Sequence, residues 1–168
     1  MDFSPKEIVI EEIKAQPASL LNNIWHSRLP EIHWSNIVRS TCNVCYVFKY
    51  KEALIGVAIW SSPVSRVLLQ QYGKDRILEL RRLALSDVCP RNTASHVIAR
   101  MEKLIVKKFE NICKLISYQD TATHLGTIYK ASNWTKVITT KGHNWTTPAR
   151  PRKKTVSTSN KLRWEKNI

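Results

Sequence analysis

The sequence predicts a mixed α/β fold in which strands and helices alternate around one sheet. Two observations carry this prediction. The chain has 168 residues and an apolar fraction of 43%, which suit one domain with a packed core. Short β-branched runs also alternate with segments of helical periodicity, in the order β-α-β-β-β-α-β-α-β.

The first half of the chain is predicted to hold a strand, a helix and a hairpin. Ser19 precedes an apolar segment with helical spacing, so it is expected to cap a helix that stops near Pro30. Two apolar, β-branched runs flank the polar residues 49–53 and are typical of an antiparallel hairpin. The predicted ranges are a strand over 7–13, a helix over 20–25 and hairpin strands over 43–48 and 54–60.

The second half is predicted to begin with a long strand over 77–85. Strict alternation would place Glu79 and Leu83 on one face of this strand and Leu80 and Arg82 on the other. The remaining predicted elements are a helix capped by Asn92 or Thr93, a strand over 114–118, a helix over 127–134 and a strand over 135–140.

The net charge of +14 indicates a polyanionic partner. The chain has 27 Lys and Arg residues against 13 Asp and Glu residues, and a compact domain of that charge repels itself. Nucleic acid is the most common such partner, and an anionic membrane surface is less common. Half of the excess charge lies in 141–168, which we interpret as an extended basic arm or loop pair outside the core.

Several classes of protein are excluded or disfavoured. No stretch approaches 18 consecutive apolar residues, so no membrane span is expected. The N-terminus lacks the layout of a signal peptide, which predicts a cytoplasmic protein. Cys42 and Cys45 form the one C-x-x-C pair, and no second pair completes a zinc site. We therefore expect reduced thiols and assign no metal ligands.

One motif that could bind a ligand is the turn that joins strand 77–85 to the long helix. A helix N-terminus offers free N–H groups and a positive dipole end, which suit a phosphate. Arg91 adds a cation there, and Ala94 and Ser95 are small enough for a ligand to approach the backbone. The alternative is an ordinary capped helix start.

Two further motifs follow the same logic. Asp120 stands where a predicted strand ends, which is the usual rim of a ligand crevice, and Tyr129 carries a phenol that can donate a proton. The alternative is that Asp120 caps a loop and Tyr129 packs with a wet hydroxyl. The segment 33–35 (His-Trp-Ser) could bind a planar base by stacking, or could simply pack against its neighbours.

Together these motifs resemble the Mom-type phage DNA-modification proteins of the GNAT acyltransferase superfamily. The resemblance covers roughly 77–134, and more loosely 32–62, through ELRRLALSD, PRNTAS, SYQD and GTIYKAS. It implies a single GNAT-like domain over 1–140, α/β (α+β), with a central mixed, mostly antiparallel sheet flanked by helices. The basic segment 141–168 would pack on that domain or extend from it.

The resemblance also implies an activity. Mom-type proteins add a methylcarbamoyl (acetamido) group to N6 of adenine in double-stranded phage DNA, which protects the DNA from host restriction. The implied donor is acetyl-CoA or a related acyl-CoA, and the implied place of action is the host cytoplasm. Two other classes stay open: a GNAT N-acetyltransferase that acts on a protein, RNA or small amine, and a basic DNA-binding protein without catalysis. The oligomeric state, a dimer included, and any metal stay open as well.

Site residues are carried over from the family by position. Asp120 and Tyr129 are the catalytic pair, with the roles of base and acid undecided between them. The family's His-Tyr-Ser segment appears here with Trp34 in place of tyrosine, so a stacking role survives there. The implied acyl-CoA contacts are Arg82, Arg91, Asn92 and Ser95. The implied DNA contacts are His33, Trp34, Ser35, Arg150, Arg152, Lys153 and Lys154, with Trp60 and Trp145 as further stacking candidates.

Overall fold

A computed structural model describes residues 4–26, 29–142 and 158–168 of the chain. Its seven strands form one sheet in the order β1-β2-β3-β4-β5-β7-β6. The strands are β1 Val9–Ile13, β2 Asn43–Tyr50, β3 Ala53–Ser61, β4 Ile77–Leu85, β5 Lys114–Asp120, β6 Thr135–Thr140 and β7 Lys161–Asn167. The helices are α1 Ala15–Trp25, α2 Ser35–Val38, α3 Arg66–Tyr72, α4 Thr93–Lys108 and α5 Thr127–Ala131, preceded by a 3₁₀ turn at Pro5–Glu7.

The sheet is mixed and mostly antiparallel, as expected. Neighbouring strands pair antiparallel except β4 and β5, which pair parallel and are joined by the crossover helix α4. A parallel pair inside an antiparallel sheet brings the carboxyl ends of two strands to the same edge. The N-terminus of α4 begins at that edge.

Helices cover both faces of the sheet. Trp60 on β3 packs toward α4, where its indole N–H contacts Met101 Sδ at 3.3 Å. The alternate residue Ile59 belongs to a second cluster with Ala18 of α1 and Ile37 of α2. Because successive side chains of a strand point to opposite faces, α4 and α5 lie on one face and α1 and α2 on the other.

A β-bulge at Arg81 changes the predicted alternation along β4. Trp60 pairs with Leu80 and Ile59 pairs with Arg82, so Arg81 is the extra residue. Leu80 and Leu83 therefore pack in the same cluster, on the α4 face. The prediction that they lie on opposite faces was wrong, because strict alternation assumes an unbroken ladder.

The structure corrects two further expectations. Helix α1 begins at Ala15, and Ser19 lies inside it, where its hydroxyl donates to the Ile32 carbonyl at 2.5 Å. The interpretation of 141–168 as an arm outside the core is wrong for β7, which lies between β5 and β6. Trp164 on that strand is buried, so the C-terminal strand is part of the core.

Candidate active site

The candidate active site lies where β4 and β5 cease to pair. Their parallel pairing runs from Ile77 with Lys114 to Leu80 with Ser117. Beyond this point β4 continues to Leu85 and β5 to Asp120 without pairing to each other. We call this gap the fork, and Leu80 with Ser117 its apex. The strand edges in the fork offer backbone hydrogen-bonding groups to an extended ligand.

Tyr129 places its hydroxyl at the apex. The hydroxyls of Tyr129 and Ser117 are hydrogen-bonded at 2.8 Å, and the Ser117 hydroxyl lies 3.2 Å from the Leu80 carbonyl. Because Ser117 has a single hydroxyl proton and donates it to Leu80, Tyr129 is the donor in the first contact. The phenol proton is therefore directed at the apex, from the α4 face.

Aromatic packing fixes the Tyr129 ring. It stacks on Trp164 with centroids 5.4 Å apart and an interplanar angle of 18°, and it also contacts Trp134. Burial raises the pKa of Tyr129; the hydrogen bond with Ser117 opposes this shift, and the nearby Glu79 charge adds to it. The phenol therefore keeps its proton across the physiological pH range.

Gly126 sets the start of α5 and hence the position of Tyr129. Its φ of 73° lies in the left-handed region, which favours glycine. A Cβ at this position would overlap with Gln119 Oε1 and would lie 2.8 Å from Trp164 Cζ2. Gln119 Oε1 already accepts a hydrogen bond from the Trp164 indole at 2.8 Å. The turn, the indole and the phenol thus form one interlocked unit.

The N-terminus of α4 stands at the carboxyl end of β4, as the sequence predicts. Asn92 is in the left-handed conformation, with φ 66°, and its side chain does not cap the helix. The Ser95 hydroxyl donates to the Asn92 carbonyl at 3.0 Å, and the Arg91 side chain is exposed. A 16-residue helix whose first turn opens toward the fork is a suitable place for a phosphate.

Arg82 lies elsewhere than its predicted neighbours. Its guanidinium donates to the carbonyls of Arg81 at 2.8 Å and Pro30 at 3.4 Å, on the α1 face of the sheet. Burial lowers its pKa to about 10; the Arg81 charge acts in the same direction and Glu79 opposes it. The structure does not bring Arg82 together with Arg91 and the α4 N-terminus, and its contact with an acyl-CoA stays a prediction.

Asp120 ends β5 at the outer end of the fork. Its carboxylate accepts hydrogen bonds from the Ser159 hydroxyl at 2.5 Å and the Ala122 N–H at 3.0 Å, and it forms an ion pair with Lys161. It lies three residues beyond Ser117, about 10 Å along the strand and on the opposite face. The structure therefore does not place the two proposed catalytic groups, Asp120 and Tyr129, side by side.

The segment 33–35 leads into α2 on the α1 face. His33 Nδ1 lies 2.8 Å from the Ser35 hydroxyl, and the Trp34 ring is 42% exposed, which leaves it available for stacking. Trp34 also borders an open pocket of about 570 Å³. Asn36 ties the segment to the fork, because its carbonyl accepts a hydrogen bond from Arg81 at 3.5 Å.

The other predicted stacking and DNA-contacting residues are either buried or outside the described residues. Trp60 is fully buried beneath α4, so its proposed stacking role is wrong. The residues Trp145, Arg150, Arg152, Lys153 and Lys154 lie outside the described residues. The chain that carries them leaves β6 and returns to β7 beside Asp120, because Lys161 pairs with both Thr140 and Asp120.

The described residues contain neither a metal-ligand cluster nor a helix that could span a membrane. Across 4–26, 29–142 and 158–168, no three His, Cys, Asp or Glu side chains cluster as metal ligands would. Cys42, which precedes β2, and Cys45, which lies within it, pack against different core clusters. None of the described helices has the length and apolar character needed to cross a bilayer.

Sequence reasoning missed two residues of the fork, Ser117 and Glu79. Ser117 is a buried hydroxyl within an apolar strand. Glu79 is an acid between Leu78 and Leu80 in the strand 77–85, and that contrast is the signal that could have identified it.

Comparison with known proteins places this geometry in a recognised fold. The model of the Mom protein family matches residues 10–167. No curated protein sequence matches the chain. The fold is similar to a GNAT family acetyltransferase from Elizabethkingia anophelis with acetyl-CoA bound, at 14% identity, with a TM-score of 0.63, covering 96% of this chain and 99% of that one.

Two other solved structures are similar to the same extent. Arabidopsis thaliana NAA60 in complex with acetyl-CoA shares 12% identity, with a TM-score of 0.67, over 96% of this chain and 98% of that one. Ribosomal-protein-alanine N-acetyltransferase from Brucella melitensis shares 11% identity, with a TM-score of 0.65, over 95% of this chain and 99% of that one. The GNAT fold expected from the sequence is confirmed, and fold and family together support a transferase.

Proposed function

The chain belongs to the Mom protein family, and we propose that it is an acyl-CoA-dependent enzyme that modifies N6 of adenine in double-stranded DNA with a methylcarbamoyl (acetamido) group. The family expected from the sequence is thereby confirmed. The observation that carries the proposal is the fork between β4 and β5, which has the Tyr129 phenol at its apex and the α4 N-terminus at its mouth.

The fork suits an acyl-CoA donor. CoA combines a pyrophosphate with an extended arm that contains amide groups, so it needs an anion site and a polar strand edge in line. The first turn of α4 with Arg91 offers the former, and β4 beyond Leu80 offers the latter. The two similar structures described with acetyl-CoA bound agree with this donor.

Acyl transfer in the fork needs two proton movements. The bond from N6 to the acyl carbon forms while the carbon–sulfur bond breaks, the amine loses a proton, and the departing thiolate gains one, which gives an N6-acetyl amide. The methylcarbamoyl (acetamido) group carries its amide the other way round, so that product needs a rearrangement or a different donor in addition to this step. The exocyclic amine of adenine is a poor nucleophile, because its lone pair is delocalised into the ring. Tyr129 is a buried, protonated phenol on the side of α4, and it is the proposed donor to the thiolate.

The charge distribution supports DNA as the acceptor. A CoA pyrophosphate would be neutralised by a few basic residues, whereas the net charge of the chain is +14. The remaining positive charge is available for a second polyanion. N6 is engaged in base pairing, so the target adenine would have to flip out, which costs a few kcal/mol. Trp34 is an exposed side chain on the α1 face of the sheet, and such a base could stack on it.

A second candidate function has one observation in its favour. One similar structure is an N-acetyltransferase named for alanine in ribosomal proteins, which means that this fold also serves protein acceptors. An enzyme of that kind would use the same fork for its donor. It would not need the excess of positive charge that this chain carries.

The test is mass spectrometry of nucleosides from host DNA. We expect a modified adenine nucleoside in cells that express the wild-type chain, and unmodified adenine in cells that express Tyr129→Phe. A wild-type protein that is soluble and binds acetyl-CoA but leaves the nucleoside profile unchanged would contradict DNA as the acceptor. In that case the second candidate is tested by incubating the protein with acetyl-CoA and ribosomal proteins.

A further inference from the structure

The connection between β3 and β4, residues 62–76, lies beside the apex and has no role in the proposed mechanism. Ser61, the last residue of β3, pairs with Glu79, which is one residue before the apex. The connection continues from that point, and the backbone N–H of Val64 donates a hydrogen bond to the Glu79 carboxylate. It therefore starts within one strand position of the proposed reaction centre.

The helix of this connection, α3, lies on the α1 face of the sheet. Its Leu68 packs with Ile77 on β4 and Ile116 on β5. Ile116 precedes Ser117, whose hydroxyl contacts Tyr129 on the α4 face, so the side chain of Ile116 points to the other face. Helix α3 therefore covers the first residues of β4 and β5 on the α1 face, directly next to the apex.

A large acceptor has to reach the apex from the α1 face. On the α4 face the apex is covered by the rings of Trp60, Tyr129 and Trp164, all of which are buried in one core cluster. These rings leave no room for a DNA duplex on that side. We therefore expect the acceptor on the α1 face, where the connection 62–76 borders the apex.

Two apolar side chains of this connection are exposed to solvent. Val64 is 72% exposed and Val67 is 70% exposed, and we call the segment 64–67 the tip. Val64 precedes the helix cap Ser65, a position from which an apolar side chain usually packs onto the first turn of its helix, but its exposure shows that it does not do so here. Single exposed valines are common, whereas two at one tip beside a reaction centre indicate a contact surface.

Hydrogen bonds hold the backbone of the tip in place. The Ser62 N–H donates to the Cys42 carbonyl at 2.8 Å, and the Ser62 hydroxyl oxygen accepts from the Cys42 N–H at 2.9 Å. The Ser65 hydroxyl oxygen accepts from the Leu68 N–H at 3.4 Å. Together with the hydrogen bond of the Val64 N–H, these contacts fix the tip before a ligand arrives. A fixed element loses little conformational entropy on binding.

The charge around the tip is complementary to DNA. Residues 62–74 contain two cations, Arg66 and Lys74, and no acid, and both cations are exposed. The acid that follows, Asp75, accepts a hydrogen bond from the Asn111 side chain at 3.4 Å. An apolar tip with adjacent cations suits a stack of bases with phosphates on either side of it. A peptide acceptor has no such regular negative charge.

We propose that the tip is a wedge that opens the DNA duplex, and this inference rests on the proposed modification of adenine in double-stranded DNA. Val64 and Val67 insert into the base stack beside the target adenine and fill the space that the adenine leaves as it turns toward the apex. Arg66 binds a phosphate next to that gap. Apolar contact with the neighbouring bases offsets part of the free energy that unpairing and unstacking cost.

The first test measures adenine modification in cells that express the full-length chain. We expect the double variant Val64→Ser with Val67→Ser to lower the amount of modified nucleoside by about tenfold or more. The matched control is Val9→Ser with Val106→Ser, because these valines are 48% and 53% exposed on β1 and α4. The control should modify DNA as the wild type does. Both double variants should bind acetyl-CoA and unfold at the wild-type temperature, since exposed side chains contribute little to stability.

The second test measures the opening of the duplex itself. A DNA duplex carries fluorescent 2-aminopurine in place of an adenine that the wild type modifies, and its fluorescence rises when the base leaves the stack. At saturating protein, the serine variant should give a smaller rise than the wild type. A second duplex has an abasic site opposite the 2-aminopurine, so less free energy is needed to turn the base out, and the difference between the two proteins should shrink.

Two further variants separate the parts of the tip. Val64→Leu with Val67→Leu keeps the apolar character, so it should retain most of the modification, and it also serves if the serine variant proves unstable: a folded leucine variant without activity would overturn the wedge. Arg66→Gln should lower the salt dependence of DNA binding by about 0.9 in log–log slope for the lost phosphate contact. The fluorescence at saturation should stay the same in that variant.

The outcomes separate this inference from the proposed function. A wild-type chain that binds acetyl-CoA but modifies no adenine overturns the proposed function, and the wedge with it. A wild-type chain that modifies adenine together with a folded, fully active serine variant overturns the wedge alone. An equal loss of DNA affinity on both duplexes, with an unchanged fluorescence at saturation, also overturns it, because the tip would then bind DNA without opening it. Acetylation of ribosomal proteins that depends on the two valines would assign the tip to a protein acceptor instead.

Discussion

The apex of the fork and the outer end of β5 lie three residues apart and have opposite characters. At the apex, Ser117 and Tyr129 are buried and neutral, and their hydroxyls are linked to each other and to the Leu80 carbonyl. At the outer end, Asp120 is charged and forms an ion pair with Lys161. One strand thus supplies a buried, neutral site at Ser117 and a charged structural contact at Asp120, because burial changes sharply along β5.

The largest expected effect is at the apex. Tyr129→Phe removes the proton for the thiolate, so adenine modification should fall by about 100-fold or more. The free energy of unfolding should change by only about 1 kcal/mol, because one hydrogen bond is removed and the ring stays stacked. Nucleoside mass spectrometry and urea unfolding measure the two quantities.

Tyr46→Phe is the matched control for this change. Tyr46 is a buried tyrosine of β2, a strand that β3 separates from β4 and the fork. It should leave modification unaltered, and a comparable drop in activity in this variant would mean that phenol removal acts through stability.

The next effect concerns the basic residues between β6 and β7. Removing their charge through Arg150→Gln, Arg152→Gln, Lys153→Gln and Lys154→Gln together should weaken binding to duplex DNA. The slope of log affinity against log salt should fall by about 0.9 for each DNA phosphate that the protein no longer neutralises. The acetyl-CoA affinity should stay the same. An unchanged slope would show that the DNA-binding surface lies elsewhere.

Substitution rather than deletion is required in that experiment. A truncation that removes the end of the chain would also remove β7, whose Trp164 stacks on Tyr129. Such a protein would lack part of its core, and its failure to bind DNA would say nothing about charge.

A smaller catalytic effect is expected at the outer end. Asp120→Asn breaks the ion pair with Lys161 and weakens the acceptor for Ser159, so the free energy of unfolding should fall by about 1–3 kcal/mol. Modification should fall only a few-fold, the reverse of the pattern at Tyr129. If a stable Asp120→Asn protein lost as much adenine modification as Tyr129→Phe, the proposed difference between the two regions would be contradicted.

The smallest effect is on stability at high pH. The pKa of Tyr129 is raised in the folded chain, chiefly by burial, so the unfolded chain gives up this proton first as pH rises above about 10. Folding stability should therefore decline from pH 10 upward, and it should decline less steeply in Tyr129→Phe. Tyr46 and Tyr118 have raised pKa values for the same first reason, so most of the decline should persist. Thermal unfolding between pH 9 and 11 measures it.

Much of the fold could be predicted because local patterns agree with the final packing. The strands 77–85 and 135–140 have the predicted bounds, and the N-cap of α4 is Asn92, one of the two predicted caps. The short helices α2 and α3 were not predicted, because they contain four and seven residues and carry little periodicity. Strand β7 was missed because its basic composition is typical of an exposed segment, whereas ion pairs such as Arg163 with Glu165 allow it to lie inside the sheet.

Local patterns were less informative about the site. Tyr129 and the α4 N-terminus were identified by motif, and the structure places both at the fork. Arg82 was expected beside the same loop, but it lies on the other face because Arg81 forms a bulge in β4. No local pattern shows a bulge of this kind, since it depends on the register with β3.

The sequence by itself determined the family, the order of most elements and the excess of positive charge, because each of these depends on residue type and spacing alone. Only the tertiary structure decided which polar groups meet. Tyr129 and Ser117 meet where the parallel strand pair ends at Leu80, and Asp120 lies three residues further along β5, where it forms an ion pair with Lys161 of β7. The chemistry of each side chain follows from its residue type alone. The distances between side chains depend on strand register, and register is a property of the whole sheet.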